Sequence, residues 1–267
     1  MKRMRTKVFF LTGLIAMFLV CSVQAQKTAI GLRGGLTIPN LTSGSGSDVN
    51  PLNEGYSSRL GAGFGVFADF KISKLFSLQP MLEYSQQGGK KNGFQVFPVP
   101  DQLKPMFGDQ APDYLYADFK STAKLNYLML PVLAKFGRDI DKAKKWRLYV
   151  DAGPFAGLLL DAHQVTSGNS NVYMDAGKTQ PIPNNPQDPS QGLLTLPFDN
   201  TQNIKDQLHH FNFGIEANAG IAYKMKQHAV FIEGGGNYGL VNIQKGSANG
   251  KNNSGAATVM IGYAYTL

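Results

Sequence analysis

The amino-acid sequence predicts an all-β protein, an eight-stranded antiparallel up-and-down transmembrane β-barrel with long external loops. Three observations predict this fold. Apolar residues alternate with small or polar ones at a period of two along most of the chain, as in strands whose two faces meet different surroundings. The alternating segments are even in number, which suits a closed barrel. The connections between them are long and short in turn, which is typical of outer-membrane barrels.

The composition excludes several other classes of protein. The chain has 267 residues, of which 16% are charged and 11% aromatic, with 30 glycines. Its mean hydropathy of −0.18 is too low for a bundle of transmembrane helices, since each helix needs about 20 consecutive apolar residues. Collagen-like, coiled-coil and acidic disordered chains have other compositions. We therefore expect one folded barrel domain over residues 26–267.

Residues 1–25 have the pattern of a cleaved secretory signal peptide. Four basic residues precede a mainly apolar core over residues 8–20, and a small-residue cleavage site ends at Ala25. The core is too short for a transmembrane anchor by about a third. Cys21 leaves a lipoprotein signal as an alternative, although Val20 stands where a small residue is expected. Cleavage lowers the net charge from +8 to +4 and removes the only cysteine, which argues against nucleic-acid binding and an internal disulfide.

Eight segments of the mature chain read as strands. The last one is the clearest, because apolar or aromatic residues from Val259 to Leu267 occupy every second position. The segment 124–136 is strand-like but apolar on both faces, so its orientation stays open. The eight strands are predicted near residues 28–38, 59–71, 75–87, 121–136, 145–160, 208–223, 229–243 and 255–267. Most of these segments exceed the roughly 9–11 residues that a tilted strand needs to cross a bilayer.

The connections predict which end of the barrel faces outward. Long connections follow the first, third, fifth and seventh strands, and short ones follow the second, fourth and sixth. In outer-membrane barrels long loops are external and short turns periplasmic, so we expect both termini in the periplasm. The loops 88–120 and 161–207 are rich in Pro, Asn, Gly, Ser and Gln. Such segments are expected to bury little apolar surface and to be mobile.

The interior of the predicted barrel is expected to be polar and plugged. An apolar face must point to lipid, because a membrane barrel reverses the pattern of a soluble protein. Eight strands enclose a space just wide enough for side chains, in which buried charges must pair or hold water. We hypothesise a polar network of Arg33, Asp69, Lys71, Glu83, Arg147, Asp151, Glu216 and Glu233, with Gln79, Asn218 and Asn237 on the same face. Candidates for interfacial aromatic girdles are Tyr84, Trp146, Tyr223, Tyr238, Tyr263 and Tyr265.

The chain resembles the PorT-type outer membrane β-barrel family, also called porin-family proteins. The matching stretches, in order along the chain, are residues 31–36, 125–136, 152–157, 213–220 and 237–243, followed by Gly262-Tyr263. The resemblance implies an outer-membrane barrel of about eight strands, inserted by the barrel insertion machinery, with no conserved chemistry. One member of the family serves a protein secretion system. Two departures are the polar Glu216–Asn218 segment and the terminal Leu267, where many barrels end in an aromatic residue.

Catalytic, cofactor and metal sites are not expected. His163, His209 and His210 lie beside external loops that also carry Asp161, Asp175 and Asp206, but no triad or ligand spacing is visible. Gly61-x-Gly63-x-Gly65 lacks the strand-to-helix context of a phosphate loop. The external Lys90-Lys91 pair lies where it would meet anionic lipopolysaccharide, but a solvated surface is the favoured interpretation.

The sequence thus predicts a monomeric, non-catalytic protein of the outer membrane. Its loops are expected to serve binding, surface maintenance or support of protein secretion, with outer-membrane lipid, lipopolysaccharide and a surface or secretion component as partners and no nucleic acid. Two alternatives stay open. One is a narrow porin-like channel for small solutes, and the other is a surface hydrolase that uses His209 and Asp206.

Overall fold

The computed structural model describes residues 28–43, 50–108, 111–246 and 250–267, so the signal segment 1–25 lies outside the described residues. Eleven strands occur in this part of the chain. They are β1 (Thr28–Ser43), β2 (Gly61–Lys71), β3 (Phe76–Pro98), β4 (Tyr114–Asp139), β5 (Trp146–Ser167), β6 (Asn169–Asn171), β7 (Thr195–Pro197), β8 (Asn200–Asn203), β9 (Phe211–Met225), β10 (His228–Gly239) and β11 (Asn252–Thr266). Four short 3₁₀ helices lie in the connections, at Pro51–Asn53, Lys104–Met106, Pro189–Gln191 and Lys205–Gln207. Within the described residues, no helix is long and apolar enough to span a membrane.

Eight of these strands form a closed antiparallel ring. The order is β1, β2, β3, β4, β5, β9, β10 and β11, and β11 pairs with β1 while β4 pairs with β5. Closure leaves no unpaired strand edge within the ring, as a membrane-spanning sheet requires. The three small strands β6, β7 and β8 lie in the connection between β5 and β9. The predicted eight-stranded up-and-down barrel is therefore confirmed.

The two ends of the barrel differ in their connections. Residues 72–75, 140–145 and 226–227 make the short turns, and this short-turn end also carries Thr28 and Leu267, whose backbones are hydrogen-bonded at 2.8 Å. The connections at the opposite, long-loop end include the described residues 50–60, 99–108, 111–113, 168–210, 240–246 and 250–251.

The barrel wall has an apolar outer face and a polar inner one. Phe213 and Ile215 are 54% and 58% exposed, whereas Glu216 and Asn218 on the same strand are 2% and 6% exposed. The same alternation runs around the ring, with exposed Leu32, Val66, Leu82, Leu130, Val150, Ile232 and Ile261. This band faces lipid in a membrane barrel. Segment 124–136, whose orientation the sequence left open, turns its odd-numbered residues inward.

Aromatic rings mark both borders of the apolar band. Towards the short-turn end, the rings of Trp146 and Tyr223 lie 4.8 Å apart, and Tyr265 lies against His228. Towards the long-loop end, Tyr84 stacks on Phe64 at 5.1 Å. Amphipathic rings at two levels are what interfacial girdles require, because one end of each ring meets lipid and the other water.

The bounds predicted for the loop between β3 and β4, residues 88–120, are wrong. Strands β3 and β4 continue as a paired hairpin to Pro98 and Tyr114, and β5 continues past residue 160 to Ser167. The sequence does not predict this hairpin, because glycines, lysines and asparagines near residue 90 interrupt the apolar alternation. The ladder persists through them because its hydrogen bonds come from the backbone.

The expectation that the long loops bury little apolar surface is also wrong. Residues 94–108, 111–119 and 168–198, here called the cap, contain their own apolar core. Its buried members are Phe97, Val99, Leu115, Ala117, Phe119, Val172, Ile182 and Leu194, and Phe198 stacks on Phe119 at 4.3 Å. Apolar residues scattered over three segments show no periodicity, so only the tertiary fold brings them together.

One extra residue changes the phase of β5. Tyr127 of β4 pairs with Leu159, but the preceding Asn126 pairs with Asp161, so Leu160 has no partner on β4. This is a β-bulge, and it exchanges the faces of every residue that follows. Asp161 and His163 therefore lie on the outer surface, while Ala162 is buried.

Candidate functional site

A cluster of one arginine and three glutamates fills the centre of the barrel. Arg33 is 3% exposed, and Glu83, Glu216 and Glu233 are 1%, 2% and 3% exposed. The guanidinium donates to Glu233 Oε1 through Nη1 and to Glu216 Oε1 through Nη2, each at 2.6 Å, and to Glu83 Oε2 through Nε at 2.9 Å and also through Nη2. The planar fork of an arginine can serve several carboxylates at once.

The strands place these four side chains at one level of the barrel. Arg33 comes from β1, and its glutamate partners come from β3, β9 and β10, so the cluster spans the lumen. Gly65 and Gly262 are the cross-strand neighbours of Arg33 on its two sides. Because neither neighbour has a side chain, Arg33 can extend across β2 and reach Glu83 on β3.

A ring of polar side chains surrounds the cluster. The Tyr149 hydroxyl donates to Glu233 Oε2 at 2.7 Å. The Asn218 amide donates to Glu216 Oε1 at 3.0 Å and to Asp151 Oδ1 at 2.9 Å. Four carboxylates therefore share one guanidinium and two neutral donors, which makes this level the most acidic part of the described interior.

Apolar layers close the lumen on both sides of the cluster. Towards the long-loop end, a buried group includes Leu125, Tyr127, Met129, Phe155 and Leu159. Towards the short-turn end, Phe67, Phe231 and Tyr149 pack edge to face. A side chain at Gly31, Gly262 or Gly220 would overlap these three rings, so these three glycines make room for the aromatic layer.

The eight residues of the hypothesised network divide into two groups. The central cluster holds Arg33, Glu83, Glu216 and Glu233, and Asp151 joins it through Asn218. The remaining three, Asp69, Lys71 and Arg147, line a cavity at the short-turn end. Arg147 there pairs with Asp139 at 3.5 Å. These three are too far along the barrel to belong to the central cluster, since they lie beyond the aromatic layer.

Lys135 and Tyr149 are among the interior residues that the sequence did not predict to be part of the polar network. Lys135 donates to Gln79 Oε1 at 2.9 Å, and its Nζ lies 3.8 Å above the ring of Tyr149. Lys135 escaped notice because its segment is apolar on both faces. Tyr149 stands between Arg147 and Asp151 in the alternation, and that position was the available signal for an inward hydroxyl.

A second cavity, of about 410 Å³, lies between the cap and the long-loop end of the barrel. Its wall combines aromatic rings, among them Tyr56 and Phe119, with carboxamides, among them Gln164 and Gln202. Lys91 donates from Nζ to the Leu52 carbonyl oxygen at 3.1 Å, and burial lowers the pKa of Lys91 although Glu54 acts against it. The cavity offers hydrogen-bonding groups at the end that carries the long loops.

The loop histidines do not form a recognisable catalytic site. His163 Nδ1 lies 3.0 Å from Asp161 Oδ2 on the outer surface, but no hydroxyl of the described residues hydrogen-bonds to this imidazole. Asp206 contributes its backbone carbonyl to Lys245, and His209 its backbone N–H to Ile243. In the described part of the chain, no group of three or more His, Cys, Asp or Glu side chains is placed to hold a metal ion.

Known proteins resemble this chain at the level of family and fold. A family model described as "outer membrane protein beta-barrel domain" matches residues 24–245. No curated protein matches the chain.

Solved structures resemble the chain at low identity, as three examples show. Neisserial surface protein A (NspA) is 13% identical, with 90% of this chain and 99% of that chain covered and a TM-score of 0.35. Ail, the attachment invasion locus protein of Yersinia pestis, in complex with the heparin analogue sucrose octasulfate, is 10% identical over 90% and 100% of the two chains, with a TM-score of 0.37. The translocator domain of the autotransporter NalP from Neisseria meningitidis is 10% identical over 98% and 96%, with a TM-score of 0.26. At these values no property of the three is carried over to this chain.

Proposed function

Because this chain belongs to the outer membrane protein beta-barrel domain family, we propose that it is a plugged, non-catalytic barrel that holds its cap at the cell surface for binding. The barrel is the anchor in this proposal, and the cap with its 410 Å³ cavity is the binding part. The protein acts as a monomer, with outer-membrane lipid and lipopolysaccharide around its apolar band.

One observation carries the proposal, namely that Arg33 bridges glutamates from three other strands across the centre of the lumen. An open pore needs a continuous water path, and here ion pairs and the apolar layers on either side fill the cross-section. An eight-stranded barrel encloses little more than its own side chains. The narrow-channel alternative is therefore the weaker one.

The orientation in the membrane follows from the connections. Long loops of outer-membrane barrels are extracellular and short turns are periplasmic. On this basis the cap faces the exterior, and both Thr28 and Leu267 lie on the periplasmic side. Accessibility of a protease to the cap in intact cells, without cleavage of the short turns, tests this orientation.

Conductance across a planar bilayer tests the plug. We expect the reconstituted protein to show no steady open state, with an open porin as the positive control. A variant that truncates the cluster and both apolar layers, Glu83→Ala/Glu216→Ala/Tyr127→Ala/Phe231→Ala, should admit ions, whereas Phe213→Ala on the lipid-facing side should not. Heat-modifiable migration in gels reports folding of each variant. Steady conductance of the folded, unchanged protein would contradict the proposal.

The resemblance to PorT-type proteins supports a finer proposal, that the cap serves protein secretion. Deleting the gene and measuring the secreted proteins tests it directly. A loss of secreted cargo, restored by the intact gene but not by a gene lacking the cap residues 168–198, supports a secretion role. Unchanged secretion leaves the binding and surface-maintenance roles and excludes this one.

A further inference from the structure

The short-turn end of the barrel opens into a cavity of about 810 Å³, here called the basic mouth. Seven lysine or arginine side chains and His228 line it, against a single carboxylate, Asp69, among the described residues. We propose that the basic mouth binds a compact anion that carries two or more phosphate or carboxylate groups. This site lies at the opposite end of the barrel from the cap and is independent of the cap's function.

The positive charge of the basic mouth comes from two sources. Lys135, Arg147 and Lys224 lie on the strands and point inward, whereas Lys145 and Lys226 come from the short turns. These residues belong to the neighbouring strands β4, β5 and β9 and to the turns beside them, and charges gathered on one side of a concave surface add their potentials and attract counter-ions. The short turns thus add to the positive charge that the strands already place on the cavity wall.

The available counter-charges do not neutralise this group. Asp139 accepts from Lys224 at 2.6 Å and pairs with Arg147 at 3.5 Å, so one carboxylate serves two cations at the rim. Lys135, deeper in the mouth, has no carboxylate within 4.0 Å in the described part of the chain. Its Nζ contacts the neutral Gln79 amide and the ring of Tyr149 instead. Its cross-strand neighbour Asp151 carries a charge that acts on Lys135 from beyond that distance. A half-buried ammonium whose direct contacts are neutral is a position for an anionic ligand group.

The inner end of the basic mouth is closed. Phe67, Tyr149 and Phe231 form its inner wall, and behind them lies the acidic cluster around Arg33. An anion that enters the basic mouth meets apolar rings and then carboxylates, so it stays in the mouth and does not cross the barrel. A blind cavity of this volume falls in the range of small-molecule sites, about 300–1,000 Å³, which favours a compact ligand over an extended polymer.

Calorimetric titration of the full-length protein in a zwitterionic detergent tests the proposal, with inorganic tripolyphosphate and citrate as probes. We expect saturable binding of one probe per barrel that weakens as salt rises. Lys135→Met keeps an unbranched side chain of similar length and removes the charge, so it should weaken binding about tenfold. Asp69→Asn removes the opposing carboxylate and should tighten binding. Binding of tripolyphosphate but not citrate assigns a phosphate ligand, and the converse a carboxylate ligand.

Lys104→Met is the matched control, because it removes the same charge from an exposed lysine of the cap. It should leave affinity within about twofold, since it lies far beyond the screening length of about 8–10 Å. Equal weakening by Lys104→Met and Lys135→Met, absence of saturable binding, or unchanged affinity in Asp69→Asn would overturn the proposal. Should Lys135→Met not fold, the turn variant Lys145→Gln/Lys226→Gln replaces it. Conductance measurements are unaffected by these outcomes, so this proposal and the plugged-barrel proposal fail separately.

Discussion

The barrel and the cap bury opposite kinds of side chain within one polypeptide. In the barrel, Phe213 and Ile215 are exposed and Arg33 is buried. In the cap, Leu115 and Phe119 are buried, as in a water-soluble domain. The difference follows from the two solvents, because lipid accepts apolar side chains and water does not.

The comparison also teaches how each region is encoded. The barrel has a fixed period of two, so a single strand already reveals its inner and outer faces. The cap has an apolar core that is assembled from β3, β4 and the long connection after β5. Its stability therefore depends on contacts between distant segments, whereas the barrel depends on ladders between neighbours and on a few internal ion pairs.

The largest effect is expected from Arg33→Met. This change leaves three buried glutamates without their shared cation, and removing one partner of a buried ion cluster costs about 3–5 kcal/mol. The free energy of unfolding, measured in urea by the fluorescence of Trp146, should fall by that amount. Arg138→Met, an exposed arginine on β4, is the control and should change it by less than about 0.5 kcal/mol. Equal stability of the two variants would show that the cluster is not what holds the barrel interior.

A smaller and local effect is expected from Leu115→Ala in the cap. The Leu115 side chain is fully buried, and Leu→Ala changes in a core cost about 2–5 kcal/mol. The cap should become sensitive to protease while heat-modifiable migration of the barrel stays normal. Leu36→Ala, the same substitution on the lipid-facing side, is expected to leave the cap resistant. Loss of the folded barrel in Leu115→Ala would mean that the two regions unfold as one.

The smallest effect is expected from acid on the cap. Hydrogen bonds from Ser190 and Gln191 lower the pKa of Asp188, and the bond from Lys104 lowers the pKa of Asp101. A carboxyl whose pKa is depressed by folding contributes stability above its unfolded value of 3.8, and the contribution is lost as pH falls through the folded pKa. Cleavage of the cap by an acid-tolerant protease should rise between about pH 5 and about pH 2.

Asp188→Asn separates this cause from general acid damage. The variant lacks the titrating carboxyl. Its cap should already be slightly more sensitive to protease at neutral pH, and its sensitivity should increase less when the pH falls. An identical acid response in the variant and the unchanged protein would assign the effect to other groups.

The ring and its inside-out pattern were predictable from the sequence because each strand carries its own alternation. The charged residues of the cluster were predictable for the same reason, since Arg33, Glu83, Glu216 and Glu233 occupy the face opposite the apolar one. The position of these four side chains at one level of the barrel was not predictable. It depends on the stagger between neighbouring strands around the ring, which cannot be derived from a single sequence.

The cap and the basic mouth escaped prediction for a different reason. Leu115, Val172 and Leu194 are far apart in sequence and meet only in the folded structure. Lys135 sits in a segment without polar contrast, and Lys145 and Lys226 read as ordinary turn residues. In each case the informative quantity is a distance across the fold rather than a pattern along the chain.

Leu160, which has no partner on β4, divides β5 into two parts that alternate in opposite phase between the inner and the outer face. Between Trp146 and Leu160 the even-numbered residues meet lipid, and between Asp161 and Ser167 the odd-numbered residues meet solvent. An insertion or deletion of one residue elsewhere in the membrane segment of β5 would exchange its inner and outer faces on one side of the change. Deletion of Leu160 would only remove the bulge, because Leu159 and Asp161 already pair with the consecutive residues Tyr127 and Asn126. This one position can therefore lose a residue without disturbing how the protein sits in its bilayer.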